Sequence, residues 1–255
     1  MISNRLQGVK AVLLVLSGKG GVGKSVVSAS LAALLAEMGF AVGLMDADIY
    51  GPSSALIFGA RARPAEGKAG LTPPNVRGVK IMSVDLFAPG RPVPLTGKGA
   101  GEVIREMLAL TDWGNLDYLL IDMPPATADI TMLLTSLRRR NLAAFVVTTP
   151  DRLSLAVARR VMQLLHNGKV PIAGVLGNMH RPYHKGDERN DAGPKGLAEE
   201  FGAVFLAKLP YDPKVLSLAG NGDTEKLLET KFARSLRGAA KAYLRLSAPN
   251  VLPRR

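Results

Sequence analysis

The chain has 255 residues, of which 47% are hydrophobic and 21% charged, and its formal net charge is +12. This composition is that of a globular protein with a sizeable core, which excludes intrinsic disorder as the default state and fits one large domain. The sequence contains no cysteine, which excludes disulfides and thiolate-bound metals or clusters within it.

Short apolar segments, many of them β-branched, indicate buried strands at residues 11–16, 41–46, 79–84, 118–122, 143–148, 172–177 and 204–208. Helical stretches, such as residues 26–38, lie between most of them. This alternation predicts an α/β fold, a single domain with a mainly parallel sheet and helices on both faces. We expect the domain to cover residues 1–246, followed by a flexible tail at 247–255. Residues 61–78 and 85–101, rich in glycine, proline and basic residues, are predicted to be long loops.

The N-terminal segment has some features of a signal peptide, because Arg5 and Lys10 precede an apolar run. That run leads directly into a glycine-rich segment without a cleavage site. No apolar stretch approaches the roughly 20 residues that a membrane span requires. We therefore expect a cytoplasmic protein.

The glycine-rich segment after the first strand has the spacing G-x-x-x-x-G-K-[ST] of a phosphate-binding loop (P-loop). Its members are Gly18, Lys19, Gly20, Gly21, Val22, Gly23, Lys24 and Ser25. A strand precedes it and a helix follows it, as such a loop requires. Backbone N–H groups and the helix N-terminus attract phosphate, Lys24 would hold the β and γ phosphates, and Ser25 would ligate Mg²⁺.

Carboxylates end two of the predicted strands. Asp46 and Asp48 follow the second strand, and two carboxylates one residue apart can serve different tasks there. The fourth strand is an apolar run that ends at Asp122, which is the Walker B pattern in which the acid holds a magnesium-bound water. Asp122 is therefore a predicted residue of the metal site, beside Ser25.

Four segments resemble those of one protein family. The loop K-G-G-V-G-K-S, with its extra lysine at 19, resembles the deviant Walker A of the MinD/ParA superfamily of ATPases. Residues 46–53 (D-A-D-I-Y-G-P-S), 122–125 (D-M-P-P) and 146–150 (V-V-T-T-P) resemble, in the expected order, segments of its Mrp branch. Mrp-type ATPases are described as iron-sulfur cluster carriers.

This resemblance implies an ATPase that forms a homodimer around ATP and Mg²⁺. Lys19 would reach the partner's nucleotide, and Lys24 would act on the phosphates in its own subunit. Asp48 would orient or activate the attacking water. Asp46 would lie near the magnesium site, which gives a predicted metal set of Ser25, Asp46 and Asp122.

The same resemblance assigns base recognition to two further segments. Asn178, after the sixth strand, offers an acceptor and donors to the adenine edge. Pro210, Tyr211 and Asp212, after the seventh strand, resemble the loop that packs beside the base, although a simple proline-rich turn remains an alternative. The guanine-binding motif N-K-x-D is absent after Asn178, which favours ATP over GTP.

The chain departs from the family pattern in two places. Ala126 replaces a glycine in the segment P-P-G-T-x-D, where Ala128 also lies, so the loop is expected to be stiffer and hydrolysis slow. The C-x-x-C pair expected after Asn178 is missing, and the segment carries His180 and His184 instead. These histidines are candidate metal ligands, but a solvated loop is the commoner meaning of such a segment.

The basic excess and the C-terminal helix each leave two interpretations. A charge of +12 can attract DNA or an acidic membrane, but a solvated basic surface is favoured. Residues 232–246 form an amphipathic helix, for which packing on the sheet is favoured over membrane contact. We predict a slow ATP hydrolase of the Mrp type with an unknown client; the alternative is a MinD/ParA-like positioning ATPase that binds DNA or membrane.

Overall fold

The computed structural model describes residues 2–90, 99–125, 137, 141–181 and 193–247. Within these ranges a central sheet has helices on both faces, which confirms the predicted α/β class. No helix in this part of the chain is both long and apolar enough to cross a membrane. The predicted domain boundary at 246 stays a prediction, and residues 248–255 of the predicted tail lie outside the described residues.

All seven predicted strands are present, within three residues of their predicted bounds. The strands of the central sheet are β1 (Val9–Ser17), β2 (Val42–Asp46), β5 (Asn75–Val76), β6 (Val79–Met82), β7 (Leu116–Asp122), β8 (Leu142–Thr148), β9 (Ile172–His180) and β10 (Phe205–Pro210), while β3 (Ala65–Gly67) and β4 (Gly70–Thr72) form a separate hairpin. Their order in the sheet is β10-β9-β8-β1-β7-β2-β6-β5. All neighbours are parallel except β5 and β6.

Helices cover the two faces of this sheet. They are α1 (Ile2–Arg5), α2 (Lys24–Glu37), α3 (Ser54–Phe58), α4 (Ala100–Leu110), α5 (Arg152–Asn167), α6 (Pro194–Glu200), α7 (Pro213–Gly220), α8 (Thr224–Leu228) and α9 (Lys231–Ser247). Alternate residues of β1 point to opposite faces: Leu14 packs in a core with α4, α5 and α6, whereas Leu13 packs in a core with α2, α3 and α9. Burial on both faces explains why residues 11–16 of β1 form a continuous apolar run.

The two predicted loops contain regular structure. Residues 61–78 form the β3–β4 hairpin and edge strand β5, and the prediction of a long loop was wrong there. Gly70, at φ 123°, permits the tight turn of the hairpin, and its strands are too short and exposed to show an apolar alternation. The second segment begins within a 3₁₀ turn at Val84–Leu86 and ends in α4, while residues 91–98 lie outside the described residues.

The C-terminal helix packs on the sheet, as predicted. The apolar side chains of α9, including Phe232, Leu236 and Tyr243, are buried against β10 and α2. Tyr243 meets Phe145 of β8 edge to face, with ring centroids 5.0 Å apart. The apolar face of α9 is therefore part of the core.

Candidate functional site

The predicted phosphate and metal residues meet at one edge of the sheet. β1 leads into the P-loop, and its neighbour β7 ends at Asp122. Asp46, at the end of β2, pairs in register with Asp122. Because parallel strands place their carboxyl ends on the same edge, the fold brings these carboxylates beside the loop.

The P-loop connects β1 to α2, which begins at Lys24. Gly21 and Gly23 both have φ of 80°, a conformation that glycine adopts without strain. A Cβ at Gly21 would meet no heavy atom of the described residues within 4 Å, so this part of the structure leaves the loop open at that point. A Cβ at Gly23 would lie 2.5 Å from the amide nitrogen of Asn178, so this position requires glycine for space as well as for backbone conformation.

Lys24 and Asp122 form a buried ion pair at the base of the loop. The Nζ of Lys24 lies 2.6 Å from Oδ1 of Asp122 and 3.3 Å from Oγ of Ser25. Burial raises the pKa of Asp122, and the ammonium of Lys24 acts in the opposite direction. The lysine predicted to bind phosphate and the carboxylate of the Walker B pattern therefore neutralise each other in this structure.

Asp46 holds the loop that follows β2. Its Oδ1 accepts a hydrogen bond from the N–H of Asp48 at 3.1 Å, and its Oδ2 accepts from the N–H groups of Ser53 and Ser54, each at 2.8 Å. Burial and the nearby charge of Asp122 raise the pKa of Asp46 to about 6. Its role beside the metal stays a prediction, and the structure adds a positioning role that the sequence analysis missed.

Asp48 lies at the start of the same loop and is half-buried. Its Oδ1 accepts a hydrogen bond from the N–H of Gly51 at 3.2 Å, which closes a short turn. Tyr50, inside this turn, is 77% exposed. The carboxylate of Asp48 thus lies at the solvent edge of the site, and its role toward water stays a prediction.

Lys19 points toward the start of α5. Its Nζ lies 3.5 Å from Oδ1 of Asp151, the residue that caps this helix. Asp151 also accepts hydrogen bonds from Ser154 and from the hydroxyl of Thr149. Burial would raise the pKa of Asp151, but these hydrogen bonds, together with Lys19, hold it well below its usual range. The sequence analysis missed Asp151, although an aspartate three residues before Ser154 at a helix start is a capping signal.

A pocket opens beside the P-loop where the base-binding residues were predicted. Its lining residues are Gly23, Val26, Asn178, Met179, Pro210, Tyr211, Asp212, Val215, Leu216 and Phe232. Asn178 is buried, and its amide donates a hydrogen bond of 2.8 Å to the carbonyl of Val22 in the P-loop. The structure thus brings all four predicted base-binding residues to one pocket and links it to the P-loop.

The walls of this pocket are held by contacts between the ends of β9 and β10. The N–H of Tyr211 donates to the carbonyl of His180 at 2.7 Å, and the guanidinium of Arg181 lies 4.8 Å from the centre of the Tyr211 ring. The side chain of Asp212 accepts from the N–H of Lys214 and so caps α7. Asp212 therefore has a structural partner besides its predicted place beside the base.

Several predicted residues have a different or undescribed position. The Nε2 of His180 is buried, and no hydrogen-bond partner for it is found among the described residues. Burial lowers the pKa of His180, and Lys208 acts in the same direction. Ala126, Ala128 and His184 lie outside the described residues. Within the ranges that the structure covers, no three histidine or acidic side chains converge on a common metal position.

The phosphate end of the site fits Mg²⁺ bound with a nucleotide. Oδ2 of Asp122 is buried, and none of the described groups donates a hydrogen bond to it. A buried carboxylate oxygen without a partner is costly unless a cation or water completes it. Oδ2 of Asp122 and the nearby hydroxyl of Ser25 are hard oxygen ligands of the kind that Mg²⁺ prefers.

The chain resembles characterised proteins over nearly its whole length. Residues 8–244 match the family model described as ParA: NUBPL iron-transfer P-loop NTPase. Among curated proteins, it is 34% identical to an iron-sulfur cluster carrier protein of Methanocaldococcus jannaschii, over 94% of this chain and 86% of that protein. It is 35% identical to one of Aquifex aeolicus, over 86% of this chain but 62% of that protein, so the chain spans less than two thirds of that relative.

Solved structures show the same likeness. A nucleotide-binding protein of Archaeoglobus fulgidus in complex with ADP is 32% identical, with a TM-score of 0.73, over 88% of this chain and 91% of that one. MinD of Pyrococcus horikoshii complexed with Mg-ADP shares the fold, with a TM-score of 0.67 at 22% identity, over 94% of this chain and 98% of that one. Together with the P-loop geometry, these matches confirm the resemblance found in the sequence: the chain belongs to the family of ParA/NUBPL-type iron-transfer P-loop NTPases.

Proposed function

We propose that this chain binds ATP with Mg²⁺ at the β1–α2 edge and hydrolyses it slowly. The observation that carries the proposal is the buried pair of Lys24 and Asp122, 2.6 Å apart, at the base of an open glycine loop. A cation and a carboxylate in this position can separate, one toward phosphate and the other toward a metal ion. The pocket around Asn178 lies beside the loop, where it accommodates a base joined to that phosphate.

Each site residue has a defined task in this proposal. Lys24 leaves Asp122 and contacts the β and γ phosphates, while Ser25 and Asp122 hold Mg²⁺, with Asp46 behind them. The metal ion, when bound, neutralises charge on the phosphate oxygens. Asp48 orients a water molecule for in-line attack on the γ phosphate. Asn178 and the Pro210–Asp212 segment bind the adenine.

The second part of the proposal is a homodimer with ATP between its subunits. Lys19 is partly exposed and bonded to Asp151 by a surface ion pair, which is worth about 1 kcal/mol or less. Such a contact is easily exchanged for a charged phosphate on a partner subunit. ATP then becomes part of the interface, and its hydrolysis separates the subunits.

We further infer that the client is a protein whose metal centre is assembled with the help of this ATPase. The support is the family, whose characterised relatives are named iron-sulfur cluster carriers. These 255 residues contain no cysteine and cannot supply thiolate ligands, so in this proposal the client supplies those of its own cluster. The chain would therefore supply nucleotide-dependent shape change, and the client the ligands.

Capture of the client tests this function. Asp48→Ala should block hydrolysis and keep the ATP-bound form, so the client should copurify with this variant from native cells supplied with ATP. The matched control is Asp48→Ala with Lys24→Ala, which should bind the nucleotide much more weakly. An apo-protein that is retained only by the first variant, and that receives iron from wild type in an ATP-dependent manner, supports the proposal. Equal recovery with both variants, or no phosphate release by wild type, contradicts it.

A further inference from the structure

Helix α3 is a short element that is held at both of its ends. At its N-terminus, the carboxylate of Asp46 accepts hydrogen bonds from the N–H groups of Ser53 and Ser54. At its C-terminus, the hydroxyl of Thr224, the first residue of α8, donates a hydrogen bond of 2.8 Å to the carbonyl of Ile57. A carbonyl in the last turn of a helix has no partner within that helix, so Thr224 supplies one from 167 positions away.

The backbones of the same two segments touch next to this hydrogen bond. Gly59 follows α3, and Gly222 lies two residues before Thr224. A Cβ added at Gly222 would lie 2.8 Å from Cα of Gly59 and 3.0 Å from the carbonyl oxygen of Leu56, so no side chain fits between the two segments. Backbones packed this closely cannot absorb a displacement by a change of rotamer. We therefore expect α3 and residues 222–224 to move as one unit.

Helix α7 connects this unit with the predicted base pocket. Asp212, which caps α7, and the side chains of Val215 and Leu216 line the pocket. At the other end of α7, the N–H of Gly222 donates to the carbonyl of Ala219 at 3.2 Å and so continues the last turn. The eight residues of α7 span about 12 Å. A ligand that shifts the wall of the pocket should therefore also shift Gly222.

The loop before α3 carries the carboxylate that we expect to act on water. Asp48 lies in this loop, and its Oδ1 closes a turn with the N–H of Gly51. Because α3 has five residues, which is fewer than two turns, a displacement of its C-terminal end reaches this loop directly. A continuous set of contacts thus runs from the base pocket through α7, Thr224 and α3 to Asp48.

We propose that Thr224 is a positioning residue for hydrolysis, which places the Asp48 loop correctly when the base pocket is occupied. The inference rests on the proposed function, since that function assigns the attacking water to Asp48. Thr224 is not among the residues that line the pocket, and it acts through α3. A displacement of about 1 Å caused by a change far from the chemistry can lower a rate by about 100-fold.

Four single variants separate this role from a general contribution to stability. Thr224→Val and Thr224→Ala remove the hydroxyl, whereas Thr224→Ser keeps it. The matched control is Thr111→Val, because Thr111 is equally buried and its hydroxyl also donates to a backbone carbonyl, that of Met107, at 2.6 Å. Thr111 follows α4, which packs on the other face of the sheet. Thermal melting shows which variants are folded.

Phosphate release and titration with labelled ATP measure kcat and affinity separately. Thr224→Val and Thr224→Ala should lower kcat about tenfold, while the affinity for ATP stays within about twofold of wild type, because the hydroxyl acts on the water and not on the bound nucleotide. Thr224→Ser and Thr111→Val should match wild type in both quantities. A hydroxyl that only stabilises the fold would lower the melting temperature and leave kcat unchanged.

Hydrogen–deuterium exchange measures the connection without hydrolysis. In wild type, ADP should slow exchange at residues 47–58 more than pyrophosphate does, because only ADP fills the base pocket. In Thr224→Val this difference should disappear, while both ligands still slow exchange in the P-loop. Thr224→Ser should keep the difference.

Several results would overturn the proposal. They are a wild-type kcat in Thr224→Val and Thr224→Ala, a loss of affinity as large as the loss of kcat, no recovery in Thr224→Ser, or an unchanged effect of ADP at residues 47–58 in Thr224→Val. Absence of phosphate release by wild type would instead contradict the proposed function, and exchange at residues 47–58 would then decide by itself whether the base pocket controls this loop.

Discussion

At the scale of single residues, the contact between Lys24 and Asp122 explains how the site tolerates two buried charges. An isolated buried ammonium or carboxylate is costly, but a pair in direct contact offsets much of that cost. With 2.6 Å between Nζ and Oδ1, each residue is the other's counter-ion. The substitution of either one therefore affects folding as well as ligand binding, and the two effects must be measured separately.

We predict that Lys24→Ala weakens ATP binding and also destabilises the fold. Loss of the charge-assisted contact to phosphate should cost on the order of 2 kcal/mol of binding, and leaving Asp122 buried without its partner should cost about 3 kcal/mol of stability. Titration with labelled ATP and urea unfolding measure the two effects. The double variant Lys24→Ala/Asp122→Asn should recover stability but not affinity; recovery of both would show that the lysine acts only structurally.

The sequence predicted each of these residues but not their contact. The spacing of the P-loop identifies Lys24, and an apolar run that ends in a carboxylate identifies Asp122. Their contact depends on the pairing of Val15 with Asp122 between β1 and β7, across 98 positions of sequence between lysine and aspartate. Asp151 was missed because its link to Lys19 likewise depends on how β8 lies beside β1.

At the scale of elements, Asp46 ties the end of β2 to the start of α3. Three backbone N–H groups point at its carboxylate, two of them from Ser53 and Ser54 at the N-terminus of this helix. N–H groups favour the charged form, but burial and Asp122 oppose it more strongly, so the pKa is raised to about 6. The loop that carries Asp48 is therefore held by the carboxylate of Asp46, whose ionisation is unfavourable in the folded protein.

This raised pKa predicts a specific pH dependence of stability. In the unfolded chain Asp46 ionises near pH 4, and in the folded chain near pH 6. The folded state binds more protons between these values, so the contribution is present below pH 4 and is lost as the pH rises through 6, by up to about 3 kcal/mol. Asp46→Asn should remove this decline.

Urea unfolding at pH 4.5 and 6.5 checks the prediction for Asp46. The quantity compared is the change in the free energy of unfolding between the two pH values, in wild type and in Asp46→Asn. Glu66→Gln, an exposed position in β3, is the control for a general change of charge. If Asp46→Asn and Glu66→Gln show the same pH dependence as wild type, the carboxylate of Asp46 is not the group that titrates.

The elements themselves were largely predictable, with one instructive exception. Long apolar strands such as β7 and β8 are visible because burial on both faces demands hydrophobic residues throughout. The β3–β4 hairpin has strands of three residues with no buried face, so its sequence lacks the alternation of apolar residues that would predict a strand. Its contacts, a bridge between Leu71 and Thr111 and a hydrogen bond from Arg5 to the carbonyl of Ala69, are tertiary and leave no local signal.

At the scale of the whole molecule, Lys19 is the residue through which one subunit of the proposed dimer would reach the site of the other. In this structure it contacts Asp151 of its own chain at 3.5 Å, and its side chain is 36% exposed. The proposed contact with a partner's nucleotide requires it to leave this aspartate. Because Asp151 keeps its hydrogen bonds from Ser154 and Thr149, it remains satisfied when the lysine leaves. The exchange therefore leaves no buried charge behind.

We predict that Lys19→Ala leaves ATP affinity nearly unchanged but removes most hydrolysis. The lysine should neutralise charge on the partner's phosphoryl group, as an arginine finger does in trans, with losses of about 10³-fold or more. In wild type, the specific activity should rise with protein concentration. Light scattering with Mg-ATP and a phosphate-release assay over a dilution series measure both, and Arg152→Ala, an exposed residue beside Asp151, is the control.

Concentration-independent activity in both wild type and Lys19→Ala would refute a role of this lysine in trans.

The order of the strands in the sheet could not be predicted from the sequence. The order β10-β9-β8-β1-β7-β2-β6-β5 places β1 between strands that follow it by about a hundred residues. Alternation of strands and helices predicts a parallel sheet, but the order of strands depends on packing among distant segments.

The hydrogen bond from Asn178 to Val22 has a consequence for how the two ends of a nucleotide are sensed. The side-chain amide of Asn178 lines the proposed base pocket and donates a hydrogen bond to the backbone of the P-loop, and at Gly23 no room exists for more than a hydrogen atom beside it. A ligand that orders the P-loop should therefore also order the pocket around Asn178, and a ligand in this pocket should order the P-loop. Under this arrangement adenosine and inorganic triphosphate would assist each other's binding, and the intact nucleotide would gain more free energy than its two halves supply separately.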